Sequence, residues 1–366
     1  MYAPAQYKPL VEQYIMTSRP INKEKMSSYS NALKVPMIIL VIFVHENLNL
    51  TNDGYLGLML AAISNVAVPV FFLISGYYFF YGHQFCKEEY FRKLIKRSRT
   101  LLLPYLIWNL LPMMNIVAGN LFSIIFRGKS TDALQTYLAE LWNNGIWHVW
   151  WDITGGTMPY DSPLWYVRDL MVMCILSPIA YLYIKRLKNW GVGILAILYL
   201  AGVNTGVVGL SMSAIVFFIL GGHFSINAAI IGSPCDFALK WRWAVVPMAV
   251  FSLVLYLLFH DQSYAHICQM SYILSGVFAS YYLMNLMPDN LLKKMSIMAS
   301  SVFFIYALHN TCVLAWCGGM MNRSLLPRYI VIIIVPFVTF AVCYALYFLL
   351  KKALPQVLAV LCGGRI

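Results

Sequence analysis

Long apolar runs separated by short polar stretches recur along nearly the whole chain. A membrane-spanning helix needs about 20 mostly apolar residues. Ten segments qualify, at 32–50, 56–82, 100–118, 164–184, 189–204, 208–230, 243–260, 265–287, 296–317 and 328–350. The break between the fifth and sixth, Gly202 to Gly209, is the weakest. The pattern predicts an all-α fold, a polytopic transmembrane helix bundle of about ten spans. It divides the chain into a polar N-terminal tail (1–28), one transmembrane domain (29–352) and a short C-terminal tail (353–366). The polar first 34 residues predict no cleavable leader. No internal repeat of the kind found in many transporters is visible.

Composition points the same way. Hydrophobic residues make up 61 % and charged residues 11 %, and the mean hydropathy is +0.70. A soluble domain is nearer half apolar and a quarter charged. The net charge of +12 would suggest nucleic acid in a soluble protein. Here Lys and Arg fill short loops between apolar runs, which is a topology signal, so no nucleic-acid partner is expected. With the N-terminus inside and ten crossings, 21 of the 26 basic residues fall on the cytoplasmic side. Arg127, Lys129, Arg168, Arg323 and Arg328 fall outside. Both termini are therefore expected in the cytoplasm, with a multi-pass location in the cytoplasmic (inner) membrane. Membrane lipids are the implied surroundings, and the oligomeric state stays open. The eight cysteines are scattered without CxxC spacing and read as reduced core residues. His45, His148, His223 and His309 lie in different segments without ligand spacing, so no metal is expected. The largest outer loop, Gly119 to Pro163, carries Trp142, Trp147, Trp150, Trp151 and Tyr160. These rings suit either stacking on sugars or an interfacial belt.

Ionisable groups at membrane depth are costly and mark candidate chemistry. Lys34 and His45 are separated by ten residues on the first segment. Eleven steps of 100° return to within about 20°, so they share a face about 16 Å apart along the axis. A neutral imidazole there can take a hydroxyl proton or attack an acyl group itself. Glu46 diverges from His45 by 100° and is not expected to orient it. The run Lys87 to Arg99 carries six positive charges and leads into Thr100-Leu-Leu-Leu-Pro104-Tyr105. It is either ordinary cytoplasmic topology with lipid headgroup contact or a phosphate site for a nucleotide-bearing donor. Ser162 through Asp169 brings Trp165, Arg168 and Asp169 to the outer end of the fourth segment. Arg168 there is either an ion-pair partner or a substrate ligand. His309 on the ninth segment is a packing histidine or a further ligand. Ser75-Gly76 allows another backbone or a ligand close to the second segment.

Taken in order, these pieces resemble the membrane-bound acyltransferase-3 family. The markers are the basic-x10-His spacing, Val70-Phe-Phe-Leu-Ile-Ser-Gly-Tyr77, and the basic run before Pro104-Tyr105. Pro163-Leu-Trp-Tyr-Val-Arg168-Asp-Leu, Phe217-Phe-Ile-Leu-Gly-Gly222 and Ser301 through His309 complete the set. The resemblance covers about 28–350. It implies transfer of an acyl group, acetyl or succinyl, from cytoplasmic acyl-CoA, with acetyl-CoA expected first, to a hydroxyl of an extracytoplasmic or lipid-linked glycan. It implies His45 as the catalytic residue, with Lys34, Lys96, Arg97 and Arg99 toward the donor. Arg168, Trp165 and His309 would then face the acceptor. Two departures stand out. Lys34 replaces the usual Arg, keeping charge without the bidentate fork. The basic motif reads Lys96-Arg-Ser-Arg-Thr100, so the role of each residue is open. Two other functions compete: a transporter or flippase of a lipid-linked sugar, and a non-catalytic receptor.

Overall fold

The computed structural model describes residues 23–48, 54–82, 85–143, 145–152 and 158–365. Among them the regular structure is helical, with no strand. Among the described residues each of the ten expected segments is mainly helical, though 201–211 is turn and coil. By length and composition, five helical stretches could cross a membrane, or seven if each of two bent pairs is one span. The other apolar helices are shorter or less apolar, so the structure establishes a helical membrane bundle but not ten crossings.

The first helix, α1 (Lys23–Leu48), is the bundle's axis. It touches α2 (Gly54–Ser64), α3 (Ala67–Phe80) and α13 (Ala265–Leu286). On its other sides lie α14 (Asp289–Met298), α15 (Val302–Leu308) and α17 (Arg328–Ala353). At 26 residues it extends about 39 Å, enough for a bilayer core. The expected tail over 1–28 lies outside the described residues up to Lys23. From Lys23 onward that stretch is helix, with Met26 buried and its sulfur 3.5 Å from that of Cys235. Pro36 consequently lies well inside α1 rather than near its start.

The tightest crossing joins α3 to α9 (Met212–Ile226). A Cβ on Gly76 would stand 2.0 Å from the carbonyl oxygen of Phe218, and one on Gly221 would stand 2.1 Å from that of Leu73. The two backbones touch, as small residues in membrane helices permit. Helix α4 (Lys87–Arg97) passes through a π-helical turn, Ser98–Leu102, into α5 (Leu103–Arg127). The latter outruns its expected end at 118. The expected outer loop is thus largely helix, because α6 (Asp132–Asn143) follows after a short break at Gly128, where φ is +60°. The rest of that loop is partly anchored: the Trp150 indole donates to the Leu106 carbonyl at 3.1 Å.

Helices α7 (Trp165–Ile175) and α8 (Ser177–Leu200) meet at a 67° bend ahead of Pro178. Lys188 then leaves helical geometry, with φ 47°. The Tyr183 hydroxyl donates to the Gly191 carbonyl at 2.8 Å. Eight residues of unbroken helix would cover about 12 Å, so the chain folds back at Lys188, where the sequence pattern expected a break. After α9 come α10 (Ala228–Ile231), α11 (Pro234–Lys240) and α12 (Arg242–Leu258), which packs along α13. Helix α15 continues through a second π-helical turn, His309–Val313, into α16 (Leu314–Asn322). The expected C-terminal tail contains a further helix. From Pro355 to Leu361 it is helix α18, docked on α5, because Leu358 and Cys362 are apolar and fully buried.

Candidate active site

Two cavities lie at different depths on the same three helices. The inner one, about 250 Å³, is lined by Lys34 of α1, Phe71 and Ser75 of α3, Tyr166 of α7, and Arg97 and Arg365. The outer one, about 410 Å³, is lined by His45 of α1, Val68 and Pro69 of α3, Trp165 of α7, Ser162 and Gln269. Along α1 the lining passes from Lys34 to Val41, about 10 Å apart. On α3 it takes a step from Pro69 to Phe71, and on α7 a step from Trp165 to Tyr166. Adjacent residues on a helix diverge by 100°, which lets α7 present one ring to each cavity.

A chain of ring contacts runs from the inner cavity toward His45. Tyr166 bonds to Ser75 hydroxyl to hydroxyl at 3.1 Å, and its ring centroid is 5.9 Å from that of Tyr306. Tyr306, whose hydroxyl donates to the Pro163 carbonyl, lies 6.3 Å from His309 by centroid. His309 in turn lies 5.1 Å from His45. The ring of His309 is fully buried, and its Nδ1 meets the carbonyls of Tyr306 at 2.7 Å and Ile305 at 3.2 Å. Carbonyls only accept, so Nδ1 carries the proton and Nε2 keeps the lone pair. That Nε2 has no hydrogen-bond partner among the described residues. The π-helical turn beginning at His309 is of a kind frequent at functional sites. His45 is only half-buried and opens on the outer cavity. Glu46 points elsewhere, toward Gly318 of α16, as the 100° offset requires.

The cations separate clearly. Lys34 and Arg97 line the inner cavity, whereas Lys96 and Arg99 are exposed and do not. Lys34 donates to the Asn31 side chain at 2.8 Å. Among the described residues no carboxylate lines this cavity. Arg168 is buried at the outer end. It donates to Asp169 at 3.0 and 3.2 Å and to the Trp151 carbonyl at 2.6 Å, with its guanidinium 5.6 Å from the Trp151 ring. Asp169 also accepts from the Ser211 backbone at 3.0 Å. Arg168 borders a second outer cavity of about 340 Å³ that also contains Trp165 and Asn204 through Gly209. The structure therefore groups His45 with His309 and Trp165, groups Lys34 with Arg97, and holds Arg168 in an ion pair at a neighbouring outer cavity.

This order of groups has a counterpart among known proteins. Residues 27–348 match the acyltransferase-3 domain, described as an acyltransferase domain. The chain belongs to the acyltransferase-3 family. It is 26 % identical over 359 residues to the succinoglycan biosynthesis protein ExoH of Rhizobium meliloti (strain 1021), covering 93 % of each chain. No solved structure matches. The acyltransferase-3 match spans the whole arrangement from Lys34 to His309. It stops short of Arg365, which sequence reasoning counted only as a topology charge. Nothing in the local sequence of Arg365 marks it as part of a cavity, because its position depends on how α18 docks.

Proposed function

We propose that the protein is a cytoplasmic-membrane O-acyltransferase. It would move an acyl group, acetyl in the first instance, from cytoplasmic acyl-CoA to a hydroxyl of an extracytoplasmic or lipid-linked glycan. The observation that carries this reading is the pair of stacked cavities. One is cationic, with no carboxylate in its lining among the described residues, the other holds histidine, and a chain of ring contacts runs from the first toward that histidine. Donor phosphates suit Lys34 and Arg97, through charge-assisted bonds. The thioester arm would extend past Tyr166 and Ser75 toward His45. The acceptor would reach His45 from the opposite side, beside Trp165. A glycan acceptor is favoured by the relative whose name places it in succinoglycan biosynthesis. The 21-to-5 distribution of basic residues favours the inner cavity facing the cytoplasm.

Two chemical routes fit. In the first, His45 takes the proton of the acceptor hydroxyl as its oxygen attacks the thioester carbonyl, and returns it to the departing thiolate. In the second, His45 itself takes the acyl group, releasing the thiol, and the hydroxyl then displaces imidazole. In either route the Nε2 of His309 would accept a hydrogen bond from the neighbouring His45 ring. His309 then acts as a positioning residue with a tautomer set by its two carbonyls.

The test is thioester turnover by purified protein in nanodiscs, wild type beside His45→Ala, with acetyl- and succinyl-CoA and a panel of glycan acceptors. Free thiol and acylated product appearing only with histidine present is the expected result. Translocation of a lipid-linked sugar without thiol release would instead select a transporter.

A further inference from the structure

The segment after α17 does more than end a helix. Pro355–Leu361 packs on α5, and the Trp108 indole donates to the Leu361 carbonyl at 2.9 Å. Gly363, with φ +60°, then lies so close to α5's approach that a Cβ there would stand 2.3 Å from the Thr100 carbonyl oxygen. Only glycine meets both conditions. Two residues on, Arg365 Nη2 donates to that same carbonyl at 3.1 Å. In an unbroken α-helix the Thr100 carbonyl would accept from residue 104, but Pro104 has no N–H. The guanidinium also lies 4.9 Å from the Phe303 ring centroid.

These contacts fix Arg365 in the wall of the inner cavity with Lys34 and Arg97. None of the three has a carboxylate partner among the described residues. Burial first, then the Arg97 guanidinium, lowers the pKa of Arg365 to about 10, so it stays charged at neutral pH. Three like charges lining one cavity, with no carboxylate partner among the described residues, are unfavourable until an anion joins them.

We propose that Arg365 is a third ligand-binding cation of the inner cavity, carried in by the docked segment 355–365 to hold phosphate groups of an acyl-carrying nucleotide. Arg365 has this role only if the cavity takes a phosphate-bearing donor, as proposed above. Donor affinity then depends on α18 docking, a dependence that the basic-x10-His and Lys96-Arg-Ser-Arg-Thr100 motifs do not contain.

The experiment is coenzyme A binding to the full chain in nanodiscs, comparing wild type, Arg97→Gln, Arg365→Lys and Arg365→Met. Methionine keeps an apolar stem over Phe303, and lysine keeps the charge. Loss of one charge-assisted contact should weaken binding roughly ten- to a hundredfold in Arg365→Met, as in Arg97→Gln. Arg365→Lys should recover part of that loss. Equal affinity in the Lys and Met variants, with Arg97→Gln weakened, overturns the role of Arg365 and leaves the donor reading intact. Absence of coenzyme A binding by wild type overturns both. A second measurement needs no variant: phenylglyoxal labelling of wild type, mapped by mass spectrometry. Coenzyme A should protect Arg97 and Arg365 but not exposed Arg99. Protection of Arg97 alone overturns the proposal.

Discussion

At the scale of single residues, the chemistry rests on groups whose surroundings leave them something to do. His45 opens on the outer cavity and has His309 behind it. His45→Ala should abolish acyl transfer while the protein remains folded, since the ring is only half-buried. Transfer near the wild-type rate would remove His45 from the mechanism. His309→Gln should lower turnover by about 10²-fold or more if it positions His45, a typical scale for groups assisting proton transfer. A change confined to the Michaelis constant for the donor would contradict that role. Arg97 and Arg99 should part company: Arg97→Gln raises the Michaelis constant for acyl-CoA and Arg99→Gln leaves it unchanged. Equal effects would mean that general surface charge, not the cavity, attracts the donor. Asp161 adds a pH test. Its carboxyl is buried and its Oδ2 lacks a hydrogen-bond partner among the described residues, so desolvation holds its pKa well above the usual carboxylate value. A raised folded-state pKa stabilises the fold below the unfolded value of about 4, and that contribution is lost as pH rises through the folded value. The unfolding midpoint of Asp161→Asn should therefore gain on wild type as pH rises toward 7. A difference independent of pH would show that the carboxyl does not titrate in the fold.

At the scale of elements, helix geometry accounts for much of the site. The spacing of Lys34 and His45 was legible because a helix repeats every 3.6 residues, and the structure has them on one helix lining successive cavities. Ser75-Gly76 was legible as a place of close approach, and α9 occupies it. Gly76→Ala forces the α3 and α9 backbones apart and should cost about 1–3 kcal/mol. A fall in the detergent unfolding midpoint would register it, and an unchanged midpoint would mean that the crossing yields freely. The two π-helical turns were not legible. A π-turn differs from an α-turn by one extra residue in the hydrogen-bonded ring and has no compositional mark. One lies beside Arg97 and the other begins at His309. The continuation of α5 and the helix α6 were also missed, because the polar residues from Gly119 to Asn120 and from Arg127 to Asp132 interrupt the apolar run.

At the scale of the whole molecule, the distribution of basic residues predicts an orientation that is open to a direct check. Cys86 is exposed and immediately precedes the basic helix α4. A membrane-impermeant maleimide should label Cys86 in inverted vesicles and not in intact cells. Labelling from outside would reverse the assignment of the two cavities. The amino-acid sequence alone determined the membrane class, the helical segments, the placement of basic loops and the acyltransferase-3 pattern, because those depend on hydropathy, period and local order. It also marked His45, Lys34 and Arg97 as candidates. Tertiary structure alone decided which basic residue of the Lys96–Arg99 run enters the cavity, that Tyr166 and Tyr306 connect it to His309, and that His309 stands beside His45. The same holds for Arg365, brought to Lys34 and Arg97 from more than 250 positions away in the chain. Such contacts depend on how distant helices cross, and local hydrophobic pattern carries no record of that.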